Sequence, residues 1–172
     1  MRNKICKIEK DKFLAAYSCY NWQNDDSLGE IIGLIPIKDY DHYEETPKDA
    51  EVFAETGIDG CHYCIINENE NLSIYLIIPN MEADRTKYLI GHSITEFLSY
   101  ILPIFGLFEC VFDLNKDDFL QEVNNFYIDN SEALKSKSFI NDLEQLRLVY
   151  NYPTISASVV YDRLKELNPL NN

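Results

Sequence analysis

Three apolar segments separated by two turns, all within residues 51–79, constrain the fold more than any other part of this 172-residue chain. The segments are rich in aromatic and β-branched side chains, which suit the half-buried surface of a pleated sheet. A Thr-Gly-Ile-Asp-Gly turn follows the first segment and a polar loop at 67–71 follows the second. Pro79 ends the third segment because proline cannot donate to a strand ladder. We therefore predict a meander of three strands, at residues 52–54, 61–66 and 72–78.

Before the meander, the residue pattern predicts one helix and one strand. Apolar residues recur at helical spacing over residues 5–17, which predicts a short N-terminal helix. Residues 30–38 are rich in isoleucine and are predicted to form a strand, with Gly33 as a candidate bulge and Pro36 marking an edge or an end. Two polar segments are expected to be irregular, at residues 18–29 and 39–49.

After the meander, the pattern becomes largely helical. Residues 86–90 predict one more strand. Ser93 followed by Glu96 has the form of a capping box, so we expect a helix over about 94–102. The remaining expectations are a break at Pro103 and Gly106, a helix after Asn115 with Asp117 and Asp118 at its start, one helix over 131–149 or two broken near Ser136, and a last helix opened by Pro153 with Thr154 or Ser156.

These elements together predict an α+β fold, in which a mainly antiparallel β-sheet meander packs with helices and extra helices follow at the C-terminus. The length suits one domain with a full hydrophobic core. We expect residues 1–172 to form this single domain. Within it, about 1–112 would be a sheet-containing core and about 113–172 a helical C-terminal portion.

The net charge of −14 is concentrated in the first half of the chain. Thirteen acidic residues lie between residues 25 and 80, against only Lys38 and Lys48. Such a field repels phosphate backbones, so we expect no direct binding to nucleic acid. It would speed association with a basic protein partner. Plain solubility is an equally good explanation of the charge on its own.

Cysteine usage and hydropathy favour the cytoplasm. The five cysteines are an odd number scattered over the chain, which indicates reduced thiols rather than a disulfide framework. The N-terminal segment lacks the apolar core of a signal peptide. The longest apolar run, at 100–108, is interrupted by Pro103 and Gly106 and is too short to span a bilayer, so no membrane association is expected.

A Cys-His-Tyr-Cys string at residues 61–64 raises the question of a metal or redox site. A zinc site needs about four ligands, and this sequence has no second pair at matching spacing. Side chains alternate along a strand, so Cys61 and Cys64 should point to opposite faces. His62 would share a face with Cys64 and Ile66, which favours a buried histidine bonded to the backbone over a catalytic one. We expect no metal and no cofactor.

No other pattern in the sequence indicates catalysis. There is no G-x-S-x-G motif, and the glycines at 29 and 33 lack the lysine of a phosphate-binding loop. The 67–71 loop lacks the glycine of a calcium-binding EF-hand loop. The carboxylate pairs 25–26 and 117–118 are explained by a solvated loop and a helix start. We therefore assign no catalytic residue and expect a binding protein rather than an enzyme.

An ordered set of residues runs through the meander and the helix that follows it: Thr56, Gly57, Asp59, Gly60, His62, Tyr63, Pro79 and the pair Phe97-Leu98. This set resembles the SUKH superfamily of Smi/Knr-type proteins. Its members often show a T-G-x-D-G-x-H-[FY] turn and strand, a strand ending in Pro, and a strand leading into a helix with a Phe-Leu pair. The likeness covers about 53–102, under a third of the chain.

The resemblance implies an α+β fold without enzymatic activity. Bacterial members of this group are largely immunity proteins, which bind and neutralise toxin domains, many of them nucleases, deployed between competing bacteria. Two other functions stay open. One is a regulatory or scaffolding module of the same fold that binds a cellular partner. The other is a hydrolase or metal-dependent enzyme that uses the His62 region with nearby carboxylates.

Exposed aromatic residues flanked by acids are our candidates for partner contacts, because aromatic side chains contribute strongly to interfaces. For Trp22 a structural role is an equally good explanation, in which the side chain packs on the sheet as part of the core. The five residues of the turn and its histidine are expected to set strand register: Thr56, Gly57, Asp59, Gly60 and His62. The candidate partner-binding residues are Trp22, Asp25, Asp26, Tyr40, Asp41, Tyr43, Glu44 and Glu45.

Overall fold

The structure, a computed structural model, describes residues 11–13, 28–37, 43–58, 60–68, 71–79 and 85–169. Within these ranges an antiparallel sheet and seven helices form an α+β fold, which confirms the predicted fold class. Residues 11–13, inside the predicted N-terminal helix, are helical. None of the helices within these ranges has the length and apolar character needed to cross a membrane.

The sheet is an antiparallel meander, in which each strand pairs with its neighbours along the chain. Its middle three strands are the predicted meander, and its last strand is the one predicted at 86–90. A two-residue strand that contains Pro36 forms one edge, as expected for a strand proline. In chain order the strands are β1 (Ile35–Pro36), β2 (Glu51–Glu55), β3 (His62–Glu68), β4 (Asn71–Ile77) and β5 (Lys87–Gly91).

The hairpin between β3 and β4 is tighter than predicted. Asn67 pairs with Leu72 and Glu68 with Asn71, so the expected loop at 67–71 is wrong for three of its residues. The pairing of these positions joins main-chain groups, which does not require apolar side chains. Their polar composition therefore concealed the ends of the two strands.

Six of the seven helices in the described ranges follow β5 along the chain. A 3₁₀ turn (Leu102–Ile104) lies at the break predicted near Pro103, and a short helix that the sequence did not predict follows it. The alternatives left open at 131–149 resolve as two helices. In chain order the helices are α1 (Leu28–Ile32), α2 (Ile94–Ile101), α3 (Phe108–Asp113), α4 (Lys116–Asp129), α5 (Ser131–Leu134), α6 (Lys137–Tyr150) and α7 (Ala157–Leu167).

Side-chain caps fix where four of these helices begin. Ser93 Oγ accepts a hydrogen bond from the Glu96 amide at 3.0 Å, and a Glu96 carboxylate oxygen accepts one from the His92 amide at 2.7 Å. This pair of hydrogen bonds is close to a capping box. The difference is that the Glu96 carboxylate bonds to the amide of His92, one residue before the N-cap Ser93. The other capped helices are α4 at Asn115, α6 at Ser136 and α7 at Ser156.

The prediction of a strand over 30–38 is wrong for most of its length. Residues 28–32 form α1, which contacts α6 and β1, and Ile31 and Ile32 are buried in the core. Gly33 has φ +57° and ends the helix rather than forming a bulge. The β-branched content favoured a strand locally, and burial of the two isoleucines against α6 overrides that preference.

Gly106 shows how closely the segment after α2 approaches α1. Its φ is +75°, and a Cβ there would lie 2.2 Å from the carbonyl oxygen of Ile32. Only glycine accommodates both the left-handed backbone and this contact. The predicted break at this glycine is therefore confirmed as the place where two backbone segments meet.

The two faces of the sheet hold two separate apolar clusters. The larger cluster joins side chains of β2 to β5 to helices from both parts of the chain, including Phe119 of α4 and Leu164 of α7. Residues from the predicted sheet-containing portion and the predicted helical portion therefore share one core. The smaller cluster, on the opposite face, contains Cys64, Ile66, Tyr75 and Ile77.

Candidate functional site

His62, the first residue of β3, connects the strand to the loop at 43–50. The side chain is 1% exposed. Its Nδ1 lies 2.6 Å from the carbonyl oxygen of Gly60, and since a carbonyl only accepts, Nδ1 carries the proton. Its Nε2 lies 3.0 Å from Thr46 Oγ1, which is also buried. The prediction of a buried histidine bonded to the backbone is confirmed.

Tyr43 covers this histidine from the outside. The two rings are stacked, with centroids 5.9 Å apart and planes inclined by 18°. The tyrosine also lies over Gly60, where a Cβ would be 2.8 Å from the ring carbon that bears the hydroxyl. Gly60 has φ +72°, so both its backbone and its neighbour require glycine. Tyr43 remains 43% exposed, so it is an aromatic surface residue whose inner side packs on His62 and Gly60.

The turn between β2 and β3 lies beside Tyr43. The Thr56 amide donates to the carbonyl of Cys61 at 3.0 Å, and the Cys61 amide donates to the carbonyl of Ile58 at 2.8 Å. Thr56 Oγ1 accepts a further hydrogen bond from the Ile58 amide at 3.2 Å. Ile58 is 56% exposed within this closed turn. An exposed apolar side chain therefore stands on a well-bonded turn whose Gly60 lies against the Tyr43 ring.

Acidic side chains surround Tyr43 and Ile58 in the chain. Glu44, Asp49 and Glu55 are exposed, and Glu45 and Glu51 are partly exposed. Residues 43–58 contain these five acids and a single basic residue, Lys48. We call four of the exposed residues in this segment, Tyr43, Glu44, Glu55 and Ile58, the acidic aromatic surface.

The structure brings a candidate partner-binding residue into contact with the turn-and-histidine motif, although the two are separate in the sequence. Of the candidate partner-binding residues it places Tyr43, Glu44 and Glu45, and the tyrosine contacts the turn-and-histidine motif. Sequence reasoning missed Thr46, for which no pattern exists, and Ile58, whose position between turn residues could have indicated exposure. Six predicted positions lie outside the described residues: Trp22, Asp25, Asp26, Tyr40, Asp41 and Asp59.

The two cysteines of the Cys-His-Tyr-Cys string are both buried. Cys61 lies one residue before β3, so the strand alternation that we applied to it does not hold there. Burial raises the pKa of Cys64 to about 12, with smaller opposing effects of Lys87, which lowers it, and Asp49, which raises it. In the described part of the chain, no three His, Cys, Asp or Glu side chains are grouped so that they could hold a metal ion.

No protein-family model, curated protein or solved structure matches this chain.

Proposed function

We propose that this chain is a non-enzymatic binding protein of the bacterial cytoplasm, and that it is an immunity protein which neutralises a toxin by occluding its active surface. The observation that carries the proposal is the acidic aromatic surface, in which Tyr43 is exposed yet fixed by His62 and Gly60. The resemblance of residues 53–102 to the SUKH superfamily supports the immunity role. The thiols of Cys64 and Cys110, neither of which is in a disulfide bond, agree with a reducing compartment.

A fixed aromatic side chain suits a binding surface for energetic reasons. Tyrosine contributes a large contact area, and interfaces depend on a few such residues. Ordering a mobile side chain on binding costs about 0.5–1.5 kcal/mol, and the stack on His62 has already restricted Tyr43. Binding through this ring therefore loses little free energy to ordering the Tyr43 side chain.

The charges around Tyr43 select the kind of partner. Five acids against one lysine over residues 43–58 favour a basic protein surface. A nuclease presents such a surface to the phosphates of its substrate, and carboxylates can occupy it in their place. We infer that the partner is a basic toxin domain, with a nuclease as the first candidate.

The test is binding to, and protection from, the toxin encoded immediately upstream of the gene. Titration calorimetry of the purified pair should show a complex, and Tyr43→Ala should weaken it at least about tenfold because an interface anchor is lost. The double change Glu44→Gln with Glu55→Gln should slow association and reduce its dependence on salt.

A matched control uses acids on the helical part of the molecule. Asp129 and Glu132 are exposed at the end of α4 and in α5, so Asp129→Asn with Glu132→Gln removes the same charge elsewhere. The control variant should bind like the unchanged protein. If the protein neither binds the toxin nor protects against it, the proposal is wrong. If the control variant weakens toxin binding as much as the Glu44 and Glu55 changes do, the acidic aromatic surface is not the binding site. Thermal melts of all variants establish that they are folded.

A further inference from the structure

A pocket of about 170 Å³ lies far along the chain from the acidic aromatic surface, where α2 meets the link between α6 and α7. The link exists because Asn151 adopts a left-handed conformation with φ +44° and reverses the chain after α6. Tyr152 and Ile155 then run back beside the last turn of that helix. The apolar part of the pocket is lined by Leu98, Leu102, Pro103, Leu143, Tyr152 and Ile155.

Arg147 supplies positive charge to this pocket. One guanidinium nitrogen donates to Thr154 Oγ1 at 3.1 Å, and the group lies 5.5 Å from the centre of the Tyr152 ring. These contacts hold the guanidinium beside the apolar wall. Within the part of the chain that the structure describes, Arg147 forms no ion pair with a carboxylate, although the chain carries 29 acidic residues against 15 basic ones.

Apart from Arg147, the pocket offers few hydrogen-bond donors to a ligand, because two of its three hydroxyl groups already donate to backbone carbonyls. Ser99 Oγ donates to the carbonyl of Glu96 at 2.7 Å, and the Tyr152 hydroxyl donates to the carbonyl of Leu143 at 3.3 Å. Thr154 accepts from Arg147, so its own proton is available. The donors that remain for a ligand are therefore N–H groups of the Arg147 guanidinium and the Thr154 hydroxyl, which match the oxygens of an anion.

We propose that this pocket binds a small organic carboxylate with a compact apolar body. The carboxylate would bond to Arg147 and Thr154, and the apolar body would contact Leu98, Leu102 and Leu143. The volume limits the body to about one ring, since a cavity of about 150 Å³ accommodates benzene. This site is independent of the proposed immunity function, because it uses other elements and a charge of opposite sign.

The test uses benzoate as the probe and benzamide as its neutral counterpart. Titration at pH 7, followed by ¹H–¹⁵N correlation spectra, should perturb amides at 98–103 and 152–155 with a dissociation constant on the order of 1 mM, as expected for so small a ligand. Benzamide should bind at least about tenfold more weakly, because it lacks the charge that pairs with Arg147.

Two variants and a control localise the interaction. Arg147→Gln should weaken benzoate binding at least about tenfold and Thr154→Val less, and both side chains are exposed, which favours intact folding. Lys137→Gln, which removes an exposed charge at the other end of α6, should leave the affinity unchanged. Equal binding of benzoate and benzamide, unchanged affinity in Arg147→Gln, or the absence of binding to the folded protein would each overturn the proposal.

Discussion

His62 and Tyr63, adjacent residues on β3, bury polar groups in opposite ways. Both ring nitrogens of His62 have partners, whereas the Tyr63 hydroxyl lies in the core with no hydrogen-bond partner among the described residues. Burial, with additional effects of Glu109 and Cys61, raises the pKa of this phenol well above its ordinary value. A buried hydroxyl without a partner costs about 1–3 kcal/mol.

Tyr63→Phe should therefore leave stability unchanged or increase it by about 1 kcal/mol, because the ring contacts remain and only the unsatisfied hydroxyl is removed. Urea unfolding measures this change. Tyr88→Phe provides a matched control, since its hydroxyl donates to the carbonyl of Arg85 at 3.3 Å and its loss should be destabilising. A clear loss of stability in Tyr63→Phe would show that its hydroxyl has a partner after all.

Cys64 should be unreactive in the folded protein. With a pKa of about 12, the thiol is neutral below that pH, and only about one molecule in ten thousand carries the reactive thiolate at pH 8. Alkylation at pH 8 followed by peptide mass spectrometry should label Cys64 only after unfolding. Cys110 is an internal reference, because it is only partly buried although burial also raises its pKa. Equal labelling rates of the two in the folded protein would contradict this prediction.

Residue-level inference from the sequence succeeded where it depended on periodicity. Alternation along β3 led to the prediction of a buried histidine bonded to the backbone, and His62 is buried and bonds to the Gly60 carbonyl. The partner of the histidine could not be predicted in the same way. Thr46 lies sixteen residues earlier in a polar segment, and its position depends on how the loop folds back onto the strand.

At β5, the last strand of the sheet, one side chain covers the outward-facing backbone groups of Leu89. The Leu89 amide donates to Asn168 Oδ1 at 2.8 Å, and Asn168 Nδ2 donates to the Leu89 carbonyl at 2.8 Å. The side-chain amide thus reproduces the two bonds that a further strand would make at this residue. An edge covered in this way cannot pair with another chain at that position.

Asn168→Ala should lower the free energy of unfolding by about 1–3 kcal/mol, because both backbone groups of Leu89 lose a partner. It should also increase self-association, which light scattering at several concentrations would detect. Asn141→Ala, an exposed change of the same type on α6, should do neither. If Asn168→Ala is as stable and as monomeric as the Asn141 variant, the side chain does not protect this edge.

Elements were predictable where their determinants are local. The caps at Ser93, Asn115 and Ser156 act within three residues, and the predicted helices begin at them. The error at α1 has the opposite origin, because its two isoleucines are buried in the core and the helix contacts α6, which is distant in the sequence. The short helix α3 was missed because the preceding break obscured its pattern.

At the scale of the whole molecule, a net charge of −14 in 172 residues opposes compaction through self-repulsion. Raising NaCl from about 10 mM to about 200 mM shortens the screening length from about 30 Å to about 7 Å. The melting temperature at pH 7 should therefore rise over this range. Near pH 4.5, where the sequence is close to its isoelectric point, the same salt increase should have little effect. An equal rise at both pH values would indicate that self-repulsion is not the cause.

The way in which the loop at 43–50 is attached has a consequence for how the specificity of the proposed binding surface can change. Tyr43 and Thr46 of this loop contact His62 of β3 through their side chains. The side chains of Glu44, Lys48 and Asp49 are exposed. Substitutions at these three positions should alter which partner is recognised without loosening the scaffold. A combinatorial library diversified at 44, 48 and 49 would thus offer new specificities on an unchanged framework.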